Sequence, residues 1–151
     1  MVVKGRVPMR STDTADGLRE RLAVVGAQLL VDSLEGGLSA PAPQEGIATH
    51  AHKLHREDLA LDWERPATEL ERLVRVGGAW TTFRGGDLKV WSAEGVDEAV
   101  SGPPGTMSGD LVATGARSLR LLEVQPANRS RMEASSWLGG ARPSVGEGLG
   151  G

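Results

Sequence analysis

Three histidines stand close together in a T-H-A-H-K-L-H run, at His50, His52 and His55. If that stretch is extended, alternation puts His50 and His52 on one face, where two imidazoles could share a metal ion. No Asp, Glu or Cys sits at a spacing that completes a recognised site, so exposed linker histidines are the simpler reading. The carboxylates Glu57, Asp58, Asp62 and Glu64 invite an acid–base reading. Two of them flank Trp63 just before a proline-led helix, where capping and solvation account for them better. No G-x-S-x-G or Walker-type loop occurs. The glycine pairs Gly36-Gly37, Gly77-Gly78 and Gly139-Gly140 follow helical patterns and read as helix stops rather than phosphate cradles. The residue types therefore assign no catalytic residue and no metal ligand.

Cations offer a different chemistry. Between Leu111 and Met132 the arginines 117, 120, 129 and 131 face a single acid, Glu123. Guanidinium groups neutralise phosphates, and exposed aromatics stack on bases, so this region could contact RNA. Trp80, Phe83 and Trp91 lie nearby, and the expectation for them is the protein core. The net charge of −3 counts mildly against a nucleic-acid binder, which is often basic overall.

These residues need elements to position them. Val2–Met9 alternates and ends near Pro8, reading as a short edge strand. Thr14 or Asp13 can cap a helix, and Asp16 suits the positive end of its dipole. Leu18, Leu22, Val25 and Leu29 make one apolar stripe, so a helix is expected over 15–35. Pro41, Pro43 and Gly46 mark a linker. A second helix is expected over 66–76, led by Pro66 and carrying Leu70, Leu73 and Val74. The period then changes to two: Ala79–Arg84, a turn at Gly85-Gly86, and Asp87–Ser92 form a hairpin. Further strands are expected at Leu111–Thr114 and Leu119–Val124, and a helical turn at Glu133–Leu138.

The 151 residues suffice for one domain or a small domain plus a fragment. Glycine is abundant, at 21 residues, and only 3% of the chain is aromatic, which limits the core. There is no cysteine, which removes disulfides and thiolate metal sites and suits a reducing cytoplasm. No apolar run approaches a membrane span. The expected fold class is α+β, mainly β, with a small antiparallel barrel of the oligonucleotide-binding (OB) type in the second part. On pattern alone a small β-sandwich fits as well.

Five stretches in order carry a resemblance. They are Ser11-Thr12-Asp13-Thr14-Ala15 leading into Leu18 and Leu22; Pro43-Gln44 with Ala48-Thr49-His50-Ala51-His52-Lys53-Leu54; and Leu61-Asp62-Trp63 with Pro66-Ala67 and Leu70. Then come Gly78-Ala79-Trp80-Thr81 with Leu88-Lys89-Val90, and lastly Pro104-Gly105-Thr106, Leu111–Gly115, Leu119–Pro126 and Trp137-Leu138. Together they resemble the C-terminal half of methionyl-tRNA formyltransferases. The family's N-x-H-x-S-L-L-P and D-x-G-L-D-x-G segments are absent, and Met1 falls just after the latter. Gly115-Ala116-Arg117-Ser118 stands where the family has a G-D-G type of turn.

The resemblance implies residues 1–37 as the end of a Rossmann-like formyl-transfer domain (a strand plus a helix). It further implies a linker over 38–55, an OB-like tRNA-binding domain over 56–146 and a frayed glycine-rich tail over 147–151. It implies that initiator Met-tRNA is the partner and that Lys53 lies in a linker running along it; the basic side chains Arg84, Arg117, Arg120, Arg129 and Arg131 are the further contacts expected. The family's formyl donor is 10-formyltetrahydrofolate, which no residue here is expected to hold. The family's catalytic Asn, His and Asp have no counterpart in this chain, so a separate catalytic half is a candidate partner. A cytoplasmic monomer is expected. The alternatives are a truncated non-catalytic fragment and a small stand-alone RNA-binding β-barrel.

Overall fold

The computed structural model describes residues 3–37 and 40–151. The chain divides into two compact units, Met1–Lys53 and Leu54–Gly151. The break therefore falls at the end of the expected linker, of which Leu38 and Ser39 lie outside the described residues, as does Val2 of the expected first strand.

In the first unit one helix, α1 (Ala15–Glu35), has the bounds its apolar spacing predicts. Thr14 caps it, its hydroxyl accepting from the Gly17 N–H at 3.2 Å. At the other end the Gly36 N–H donates to the Asp32 carbonyl. Residues 3–9 form no strand, contrary to expectation. A strand is defined by the ladder it makes, and the described residues of this unit include no second strand to pair with. The segment is instead held to the helix by side chains. Arg21 donates to both carboxylate oxygens of Asp13, at 2.8 and 2.6 Å, and to the Pro8 carbonyl at 3.1 Å. Gly5 lies so near Leu29 that a Cβ there would stand 2.7 Å from its Cδ1. No residue of α1 is buried.

The second unit carries the sheet. A short 3-10 turn (Glu57–Leu59) leads to Ala60, which bridges Trp80, and the Leu61 N–H donates to the Trp80 carbonyl at 2.8 Å. Helix α2 (Ala67–Val76) follows Pro66 and buries Ala67, Leu70 and Val74 on one side. Gly77 and Gly78 end it with φ of +92° and +80°, angles that glycine adopts without strain. Strands β1 (Trp80–Phe83) and β2 (Gly86–Val96) form the expected hairpin, with Phe83 opposite Gly86. The turn lies one residue earlier than expected, at Arg84-Gly85. Both have positive φ, as a two-residue hairpin loop requires.

Strands β3 (Met107–Ser108), β4 (Leu111–Ala113), β5 (Ser118–Pro126) and β6 (Met132–Glu133) complete the sheet, and α3 (Ala134–Ala141) follows. All pairings are antiparallel, in the order β1-β2-β5-β4-β3. Strand β5 is the pivot: β2 lies along one edge, and β4 and β6 share the other. Leu70, Leu88, Val90, Val112, Leu119, Leu121 and Val124 fill the core between α2 and the sheet.

The ladder is open, because β1 and β3 do not pair with each other. The C-terminal segment bridges these two edges. The Met107 N–H donates to the Glu147 carbonyl and the Leu149 N–H to the Gly105 carbonyl, each at 2.9 Å. From the other side the Gly150 N–H donates to the Thr82 carbonyl at 3.0 Å. Leu149 is buried. The tail expected to fray is thus tied down, because one apolar side chain among its glycines finds a place in the core.

Candidate nucleic-acid interface

Most of the expected RNA-contacting cations are partnered, because β-pairing brings acids from distant segments beside them. Arg84 sits in the hairpin turn at φ +51°. Its Nε and Nη2 donate to the two oxygens of Glu147 at 2.6 and 2.9 Å, and its Nη1 reaches the Ala141 carbonyl at 3.2 Å. The guanidinium and the Ser144 N–H hold the Glu147 carboxyl at a pKa of about 2. Arg120 is ringed by Glu98 at 2.6 Å, Glu94 at 3.0 Å and Asp110 at 3.6 Å. Hydrogen bonds to Glu98, then Glu94, raise its pKa above the ordinary guanidinium value. Arg117 pairs with Asp97, and Arg131 with Glu123.

Arg129 and Lys53 differ. Both are exposed, and neither side chain has a partner among the described residues. Arg129 lies on the β5–β6 connection, where its N–H donates to the Pro126 carbonyl at 3.1 Å. It also borders a cleft of about 340 Å³ that includes Met132 and Trp137. Lys53 belongs to the first unit.

The aromatic residues correct the sequence reading. The buried ones are Trp63 and Trp137. The Trp63 indole N–H donates to Thr81 Oγ1 at 3.1 Å inside the core. Trp80, Phe83 and Trp91 are half-buried, each beneath an arginine; Phe83 packs against the core as expected, whereas Trp80 and Trp91 are not part of that cluster. Phe83 also meets Trp137 edge to face, with ring centroids 5.1 Å apart. Sequence reasoning missed Arg56 and Lys89. Lys89 was findable, since alternation places it opposite the inward Leu88 and Val90. Arg56 gave no signal, because it reaches Trp80 from outside any periodic segment.

The other candidate chemistries find no assembly. His50 and His52 meet edge to face at 5.1 Å. Among the described residues no three His, Cys, Asp or Glu converge on a possible metal position. Asp58 accepts from the His55 N–H at 2.8 Å and Asp62 from the Glu64 N–H at 3.1 Å, so both carboxylates shape local turns. A cleft of about 390 Å³ lined by Ser101, Met107, Ser144 and Val145, among others, includes no titratable side chain. Among the described residues no helix is long and apolar enough to cross a membrane.

Residues 53–142 match the family described as formyl transferase, C-terminal domain, and the chain belongs to that family. It is 40% identical over 158 residues to the methionyl-tRNA formyltransferase of Acidithiobacillus ferrooxidans, covering 96% of this chain and 50% of that protein. The enzyme of the same name from Paraburkholderia phymatum is 39% identical, with 97% and 49% covered. The chain therefore spans about half the length of the curated relatives it matches. Among solved structures it is similar to HypX from Aquifex aeolicus in complex with tetrahydrofolic acid. That likeness has a TM-score of 0.68 at 20% identity, with 93% of this chain and 27% of that one covered. It shows a shared fold.

Proposed function

We propose that this chain is the tRNA-binding portion of a methionyl-tRNA formyltransferase, which formylates initiator Met-tRNA from 10-formyltetrahydrofolate at the start of translation. The observation that carries the reading is the near-complete match, at 40% identity, to proteins of that name. The formyl-transfer chemistry belongs to a catalytic half beyond these residues. This chain is assigned no catalytic residue and no bound cofactor. Its sheet is read as an OB-like barrel whose gap the tail 147–151 bridges. It works in the cytoplasm, as a monomer apart from that catalytic half.

Lys53 and Arg129 are the primary phosphate contacts, because neither is bound to a carboxylate. Arg84, Arg117, Arg120 and Arg131 contribute only by exchanging a carboxylate for a phosphate, which cancels most of the gain. Binding of labelled initiator tRNA to the full chain across a salt series tests this. Lys53 and Arg129 together are expected to contribute roughly −2 to the log–log slope, about one released counterion each. Absence of any salt-sensitive association would overturn it.

A further inference from the structure

We propose that the outer face of β1, β2 and β5 is a stacking platform for unpaired RNA nucleotides, built on two tryptophan–arginine plates. This rests on the tRNA-binding reading and adds where unpaired bases would sit. Trp80 and Lys89 are direct cross-strand partners on β1 and β2, and Lys89 is in turn opposite Gln125 on β5. Thr81, Leu88, Val90 and Val124 are buried, so alternation sends Trp80, Lys89 and Gln125 to the other face; Trp91, in the β-bulge between Val90 and Ser92, joins them through its contact with Gln125. The Trp91 indole N–H is fastened there to Gln125 Oε1 at 3.0 Å, and that of Trp80 to the Arg56 carbonyl at 2.9 Å.

Over each ring lies a guanidinium. The central carbon of Arg56 is 4.0 Å from the Trp80 centroid, and that of Arg131 is 5.2 Å from the Trp91 centroid. Each is held by a carboxylate, Arg56 by Asp87 at 2.6 Å and Arg131 by Glu123. Their side chains are nevertheless 54% and 50% exposed, so half of each remains open to solvent. A planar cation seated on an aromatic ring presents a flat surface on which a nucleobase stacks. Strand spacing and rise put the two tryptophans roughly 8 Å apart, within reach of neighbouring nucleotides of a flexible strand. Lys89 stands between them, exposed and without a side-chain partner among the described residues, where a phosphate linking two such nucleotides would pass.

The acids decide what kind of binding this is. Asp87 and Glu123 balance the two guanidinium charges, so the plates attract by stacking rather than by releasing counterions. Their contribution is therefore nearly independent of salt, unlike that of Lys53 and Arg129. A paired helix hides its base faces and gains nothing from the plates.

The test titrates the full chain with a labelled single-stranded heptanucleotide, with the same sequence as a duplex, and with initiator tRNA, reading anisotropy and tryptophan emission. The single strand is expected to bind and quench, and the duplex to bind more weakly without quenching. Trp91→Leu should weaken single-strand binding about tenfold while leaving the salt slope unchanged, and Arg131→Gln should weaken it at least as much, with a smaller slope because Glu123 is left unpaired. Arg131→Gln changes an exposed side chain, so it keeps the test decisive if Trp91→Leu unfolds. Equal binding of the single strand by wild type and Arg131→Gln, or equal quenching by the duplex, would overturn the platform. If tRNA still binds with its salt dependence in that case, the broader reading stands; failure to bind tRNA at all overturns that reading separately.

Discussion

Arg84 and Glu147, separated by 63 positions in the chain, form a two-pronged ion pair that joins the β1–β2 turn to the C-terminal segment. The pair lowers the Glu147 pKa from 4.5 to about 2. A carboxyl depressed in the folded state contributes stability that is present above its ordinary pKa and disappears as pH falls toward the folded value. Melting temperature should therefore drop between about pH 4.5 and 2. In Glu147→Gln part of that acid dependence should vanish, and the melting temperature at pH 7 should already be lower. Thermal melts across pH check both.

Leu149 is buried in the same core cluster as Trp63, on a tail held by hydrogen bonds to both sheet edges. Leu149→Ala removes buried methyl groups and should cost about 2 kcal/mol, at the low end for such truncations because the tail can shift. Denaturant unfolding measures it. Amide exchange at Gly150, which donates to Thr82, should accelerate in the same variant.

Two glycines of opposite character make a paired test. A Cβ on Gly115 would stand 1.8 Å from the Glu64 carbonyl oxygen, because the β4–β5 turn is pressed against the entrance of α2. There the Gly115 N–H donates to the carbonyls of Trp63 and Arg65, at 2.9 and 3.1 Å. Gly115→Ala should destabilise by roughly 3 kcal/mol or more, since backbone would have to move. Gly139, within α3, has open space where a Cβ would go. Gly139→Ala should raise stability by about 0.5–1 kcal/mol through helix propensity and lost chain entropy in the unfolded state.

The charge pattern predicts unequal roles for similar arginines. Arg129→Ala should reduce the salt slope of tRNA binding by about 1, and Lys53→Ala likewise. Arg120→Ala should leave that slope nearly unchanged, because Glu94, Glu98 and Asp110 already surround the guanidinium. Affinity measured at several salt concentrations separates them.

Local pattern carried much of this architecture. The spacing of Leu18, Leu22, Val25 and Leu29 fixes α1 with its bounds, Pro66 and Gly77 bracket α2, and the change of period at Ala79 marks the hairpin. What stayed hidden depends on partners far away in the chain. Strands β3 and β6 are two residues long, too short for any alternation, and exist only because β4 and β5 lie beside them. Trp63 and Trp137 were not distinguishable from Trp80 and Trp91 by type, and only tertiary packing selects which pair is buried. The cations themselves were visible. Their neutralisation was not, since the acid facing Arg131 is eight residues away and the acids facing Arg120 include one 26 residues away.

The bridging of the sheet by residues 147–151 bears on how the chain is made. Synthesis runs from the amino end, so every strand has left the ribosome before the segment that spans β1 and β3. Until Leu149 emerges, the core beside Trp63 stays uncovered and two strand edges lie bare, the condition in which nascent chains misassociate with one another. A tag fused directly after Gly151 would load that late step. Moving the tag to the amino end should raise the yield of correctly folded protein without altering a single core residue.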